Sequence, residues 1–169
     1  RANLGGVLKG TENKFGAKKK EERGMAKAGG LGAGSWGTAL SVLLCDNGHQ
    51  VTMWSIDENE VKMLNEKREH ETKLPGVKLP DQLIVTGDLE DTVKGKDFLV
   101  LAVPSPFTRS TAAKMSPCVT DGQIIVDVAK GIEEDTLMTL SQQIEQEIPQ
   151  DDVAVMSGPS HAEAGGRGL

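Results

Sequence analysis

The chain contains no tyrosine, three phenylalanines and two tryptophans in 169 residues. That is too few aromatics to interleave with basic residues as a base-stacking surface requires. Positive charge is also in deficit, with 19 Lys and Arg against 25 Asp and Glu. An acidic body of this kind excludes nucleic acid and anionic membrane as partners. No apolar run approaches the roughly 20 residues of a membrane span, and no apolar core follows the early basic residues as a secretory signal would require. The only two cysteines, Cys45 and Cys118, lack the close spacing of a metal site. They read as reduced thiols of a cytoplasmic protein.

The positive charge that is present gathers at one end. Residues 1–24 carry seven Lys and Arg and three Asp and Glu, including Lys18-Lys19-Lys20-Glu21-Glu22-Arg23. This segment reads as a disordered leader or tag upstream of a start at Met25. Residues 25–169 suit one domain of ordinary size, large enough to bury a core.

Glycine is plentiful, and its most telling arrangement is Gly32-Ala33-Gly34-Ser35-Trp36-Gly37. With this G-x-G-x-x-G spacing, the first glycine makes a tight turn and the second lets backbone approach a pyrophosphate. The third lets helix and strand pack closely. The N-terminus of the following helix would hold the anion. A helix over 36–47, with Leu40, Leu43 and Leu44 on its apolar face, is followed by a strand over 50–55. Asp57 stands 20 residues past Gly37, near that strand's end, where an acid meets the adenosine ribose.

Downstream the pattern keeps alternating. Asp57 caps a helix carrying Val61 and Leu64, and 74–80 reads as a loop. Strands follow at 83–85, 97–103, 123–129 and 153–156, with helices at 88–93, 108–115 and 136–148. The last of these helices presents Leu137, Leu140, Ile144 and Ile148. The pattern implies an α/β fold, a doubly wound, Rossmann-like parallel sheet with right-handed crossovers. Its ligand lies at the carboxyl ends of the strands.

Three more strand ends bear on that edge. Val103-Pro104-Ser105 would border the cofactor ribose. Lys130, in Ala129-Lys130-Gly131-Ile132, is placed to meet a phosphate or polarise a carbonyl. Gly158-Pro159-Ser160-His161-Ala162 supplies flexible backbone, a hydroxyl and an imidazole. His161 has no neighbouring carboxylate fit to orient it, Glu163 being only two residues away. His49 and His70 read as inert surface residues, and Glu133-Glu134-Asp135 as the acidic start of a helix.

Taken in order, these residues resemble the bacterial-type NAD(P)-dependent glycerol-3-phosphate dehydrogenases. The resemblance runs from Met25 to Leu169 through Leu31 to Leu40, Asn47-Gly48-His49, Leu74 to Pro80, Leu101 to Ser105, Lys130 to Glu133 and Ser157 to Glu163. It implies hydride transfer between NAD or NADP and the C2 centre linking dihydroxyacetone phosphate and sn-glycerol 3-phosphate, a feed into glycerophospholipid synthesis. It sets Ser35 and Trp36 against the cofactor phosphates, Ile56 beside the adenosine ribose, and Ala162 against the cofactor. Lys130 would touch cofactor and substrate, and Gly158 and Ser160 the phosphorylated substrate. The catalytic, proton-transferring lysine is expected beyond Leu169, in an all-helical domain, and the full-length enzyme is open to homo-oligomer formation.

Three departures from the family pattern stand out. Ile56 occupies a position where the resemblance implies a basic residue for the 2′-phosphate of NADP. The adjacent Asp57 is less hospitable to that phosphate but is displaced from the usual strand-end position, so NAD and NADP both stay open. Ala28-Gly29-Gly30 occupies the strand entering the glycine loop, and Ala164-Gly165-Gly166 follows the substrate loop. Glycine in a strand costs about 0.5–1 kcal/mol relative to alanine, so a weak first strand is expected, and the repeated triplet reads as sequence alteration. The residues alone also admit a non-enzymatic, redox-sensing NAD module or a 3-hydroxyacid or ketopantoate dehydrogenase.

Overall fold

The computed structural model describes residues 24–133, 135–156, 161, 162 and 166. Residues 1–23 of the leader, Glu134, Gly158, Ser160 and most of the second Ala-Gly-Gly triplet lie outside the described residues.

The elements run β1 (Lys27–Leu31), α1 (Ser35–Asp46), β2 (Gln50–Trp54), α2 (Glu58–Lys67), β3 (Glu69–His70), β4 (Leu74–Lys78) and β5 (Ile84–Thr86). They continue through α3 (Leu89–Val93), β6 (Phe98–Leu101), α4 (Thr108–Met115), β7 (Ile124–Asp127), α5 (Leu140–Glu147) and β8 (Asp152–Val155). Six strands form one sheet in the order β5-β2-β1-β6-β7-β8, and every pairing in it is parallel. The expected doubly wound sheet is therefore present. The chain leaves β1 toward one edge and returns through β6 toward the other, so its topological switch point lies between β1 and β6.

Side-chain alternation along the strands divides the core between two faces. Ala28, Val51 and Met53 pack under α1 and α2 with Val42, Leu64 and Leu74. Leu31, Trp54, Leu99, Leu101 and Ile125 pack on the other face with Val93, Met115, Ile144 and Ile148. Full burial of each such large side chain stabilises by about 1.5–3 kcal/mol.

Strand β1 is formed despite the glycines that predict a weak strand. It sits at the centre of the sheet, paired along its length with β2 and over four residues with β6. Its glycines answer to close packing. A Cβ on Gly29 would meet the Thr92 carbonyl of α3, and one on Gly30 would come 3.0 Å from Ser41 Oγ of α1. Helices cross both faces of the central strand too closely for larger residues.

Four other readings change. The buried side of α1 is Thr38, Ala39, Ser41, Val42 and Cys45, while Leu43 is exposed and Leu40 and Leu44 are only half-buried. The close approach over Gly30 selects the small face of the helix. Residues 74–78, read as loop, form β4, which pairs antiparallel with β3. Helix α5 starts late because Thr139 and Gln142 form a capping box, leaving Leu137 outside at φ 58° and exposed. His70, read as a surface residue, is buried.

Candidate functional site

The glycine loop joins β1 to α1 at the switch point, and its three glycines occupy three different steric settings. Gly32 turns the chain at φ 110°, and an added Cβ would lie 2.9 Å from the Ala102 carbonyl oxygen. A Cβ on Gly37 would fall 2.0 Å from the Gly32 carbonyl oxygen, so the first turn of α1 rests directly on the loop. Gly34 is different. Its φ of −69° suits any residue, yet nothing lies within 4 Å of where its Cβ would be. Its missing side chain leaves open space in front of the helix. Gly34 is also the N-cap of α1 and makes no side-chain cap bond. The leading N–H groups of Ser35, Trp36 and Gly37 thus face a site suited to an anion. These settings match the three glycine roles of a dinucleotide fingerprint, so the residues present fit a pyrophosphate.

The neighbouring strand ends close around this loop. The Gly32 amide donates to the Trp54 carbonyl at 3.0 Å, tying the glycine loop to the end of β2. Beyond Trp54, Ile56 is 73% exposed. Asp57 Oδ1 accepts from the Asn59 and Glu60 amides at 2.9 and 3.4 Å, making Asp57 the N-cap of α2 as expected. After β6, Val103 is buried, Pro104 is exposed, and Ser105–Phe107 form a 3-10 turn. After β7, Gly131 takes φ 143°, and its Cβ would stand 3.0 Å from Ser105 Cβ and Oγ. The loops carrying Pro104 and Lys130 are therefore in direct contact. Lys130 itself is exposed.

Ala162 is half-buried and packs against the core cluster on the α1 side of the sheet. His161 is exposed. The structure thus brings the glycine loop, Ile56, Asp57, Pro104 and Lys130 to one edge, while Gly158 and Ser160 lie outside the described residues.

Three features of this edge escape sequence reasoning. The first is an ion-pair clamp on the Lys130 loop. Arg109 of α4 donates through Nε and Nη2 to the two Glu133 oxygens at 2.7 and 2.9 Å, and through Nη1 to Glu147 at 3.0 Å. Arg109 holds the Glu133 carboxyl down at about 2, with the Thr136 hydroxyl as the second donor. In return, the carboxylates raise the guanidinium pKa above its ordinary value. Glu133 is therefore an ion-pair partner, because the helix expected to start beside it begins only at Leu140. No local pattern announces a pairing across 24 residues.

The second is Asp127, the last residue of β7, which is 2% exposed. Burial raises its carboxyl pKa, opposed by the Ala129 amide that donates to Oδ1. Its position at the end of an apolar strand could have flagged it. The third lies beneath Ile56. Ser55 Oγ donates to Glu60 Oε2 at 2.5 Å, while His70 Nε2 and Lys73 Nζ meet Glu60 Oε1. His70 Nδ1 accepts from the Lys73 amide, so Nε2 carries the proton toward Glu60. Burial opposes ionisation of Glu60, but the Lys73, Ser55 and His70 donors prevail and its pKa falls below the ordinary value.

Residues 27–167 match the family model described as the NAD-dependent glycerol-3-phosphate dehydrogenase N-terminus. The chain is 66% identical over 143 residues to glycerol-3-phosphate dehydrogenase (NAD(P)+) of Agathobacter rectalis, covering 85% of this chain and 43% of that protein. It is 48% identical over 147 residues to the enzyme of the same name from Fusobacterium nucleatum, covering 86% of this chain and 44% of the relative. Its fold is similar to the crystal structure of glycerol-3-phosphate dehydrogenase from Coxiella burnetii, with a TM-score of 0.81 at 29% identity. That match covers 86% of this chain and 44% of the other. The chain thus spans less than half the length of these relatives.

Proposed function

We propose that this chain, which belongs to the NAD-dependent glycerol-3-phosphate dehydrogenase N-terminus family, is the cofactor-binding half of such an oxidoreductase. The reaction is hydride transfer between NAD(P)H and dihydroxyacetone phosphate, or its reverse from sn-glycerol 3-phosphate, in the cytoplasm as a feed into glycerophospholipid synthesis. When bound, the nicotinamide ring supplies or accepts the hydride.

The observation that carries this reading is the division of labour among Gly32, Gly34 and Gly37. The first turns the chain, the third seats α1 on the loop, and the second leaves the space and free N–H groups a pyrophosphate needs. Ser35 and Trp36 flank the phosphates, Ile56 and Asp57 border the adenosine ribose, and Pro104 lines the crevice across the switch point. Lys130, held beside Ser105 by Gly131, presents a cation toward cofactor and substrate. Ala162 is assigned to the cofactor side, and Gly158 and Ser160 to the phosphorylated substrate. On this reading the proton-transferring lysine belongs to a helical domain outside these 169 residues.

A family model and relatives with one enzyme name support this reading over a redox-sensing module or a 3-hydroxyacid or ketopantoate dehydrogenase. The test is a pair of assays. The 169-residue chain should bind NADH without turning over dihydroxyacetone phosphate, whereas the full-length gene product should oxidise NADH with that substrate. Turnover by this chain alone, or none by the full-length product, would overturn the proposal.

A further inference from the structure

We infer that the loop between β2 and α2 selects the dinucleotide without a 2′-phosphate, so that this chain binds NAD(H) in preference to NADP(H). The inference rests on the proposed binding site, whose adenosine ribose lies at the carboxyl end of β2. A 2′-phosphate there needs a cation or free helix N–H groups. The described residues around the loop supply neither.

Ile56, the outermost residue of the loop, is apolar and 73% exposed. The N-terminus of α2 is already served by a carboxylate, because Asp57 Oδ1 takes the Asn59 and Glu60 amides. Glu58 and Glu60 add negative charge in the same turn. The cations of α2 and the β3–β4 hairpin have other partners. Lys73 is paired with Glu60, Lys67 with Glu71, Lys78 with Glu69, and Lys62 more loosely with Glu66. Arg68 donates to the carbonyls of Pro80 and Leu83. The buried His70 and the Ser55 hydroxyl also donate to Glu60 and keep it anionic directly beneath the loop.

A ribose 2′-hydroxyl meets a different environment. It is a donor, and Asp57 retains a second carboxylate oxygen to accept from it. One loop therefore rewards the hydroxyl and repels the phosphate.

The test is titration of the 169-residue chain with NADH and with NADPH, following quenching of its two tryptophans. NADH is expected to bind at least about tenfold more tightly, the equivalent of roughly 1.4 kcal/mol. Two variants locate the cause. Asp57→Asn keeps a competent N-cap while removing the charge, and Ile56→Arg adds a cation at an exposed position. Each should narrow the NADH-to-NADPH affinity ratio while leaving the helical circular dichroism signal intact. Equal or tighter binding of NADPH by the unmodified chain, or an unchanged ratio in both variants, would overturn the inference and leave the dinucleotide site standing. Failure of both cofactors to bind would overturn the site itself.

Discussion

The carbonyl oxygen of Thr92 lies 2.1 Å from where a Cβ on Gly29 would stand, and Leu99 Cδ2 lies 2.8 Å from the same point. The oxygen belongs to backbone, which cannot step aside as a flexible side-chain tip can. Gly29→Ala should therefore destabilise the chain by about 1–3 kcal/mol, the range for forcing extra volume into a packed interior. Urea unfolding followed by circular dichroism measures this. Gly30→Ala, whose tightest contact is a side-chain hydroxyl, Ser41 Oγ at 3.0 Å, should cost less. An unchanged midpoint for Gly29→Ala would show that α3 does not bear on β1 in this way.

These two glycines also mark how far the sequence could be read. Strand alternation, turn residues and the order of helices predicted the doubly wound sheet, and the G-x-G-x-x-G spacing marked the strand-to-helix turn at its switch point. The close crossing of α3 over β1 left no local trace, so Ala28-Gly29-Gly30 looked like a defect. The approach of α1 over Gly30, on the opposite face, likewise inverted the reading of α1, where bulk suggested Leu40, Leu43 and Leu44 but the narrow space admits Ala39, Ser41 and Val42. His70 and Arg109 were illegible for another reason. Their partners, Glu60 and Glu133, are 10 and 24 residues away and become neighbours only through tertiary packing.

The Arg109–Glu133 pair should appear in the acid limb of the stability profile. The Glu133 pKa is depressed from 4.5 to about 2, so its contribution is fully present above 4.5 and is lost as pH falls through about 2. Glu133→Gln should be less stable than the unmodified chain at neutral pH, with the difference closing across that acid window. A difference that stays constant down to pH 2 would assign the loss to packing rather than to ionisation.

Asp127 makes the opposite prediction. Burial raises its pKa in the folded chain, so ionisation at neutral pH opposes folding. Asparagine can still accept from the Ala129 amide. Asp127→Asn should therefore raise the melting temperature at pH 7, and the gain should vanish as pH falls below 3.8, where the unfolded chain's aspartate also protonates. A variant melting lower at pH 7 would show that the carboxylate is worth more than its desolvation costs.

Cys45 is a third titrating probe. Burial first, and Asp46 second, push its thiol up to about 11, leaving it protonated at pH 8. Since the thiolate is the reactive form, Cys45 should resist alkylation by iodoacetamide until the chain is unfolded. Mass mapping of the modified cysteine checks this, and rapid labelling of Cys45 in the folded chain would contradict its placement on the buried face of α1.

At the proposed dinucleotide site, Gly34 is a glycine because a pyrophosphate comes where its side chain would be. NADH titration of Gly34→Val beside the unmodified chain, with circular dichroism recorded on both, puts this to the test. Backbone at φ −69° with nothing within 4 Å of the Cβ position accommodates valine, so the fold should be retained. Affinity should fall by tenfold or more, a loss of at least about 1.4 kcal/mol. A folded Gly34→Val chain that binds NADH as tightly as the unmodified one would show that the pyrophosphate does not approach Gly34.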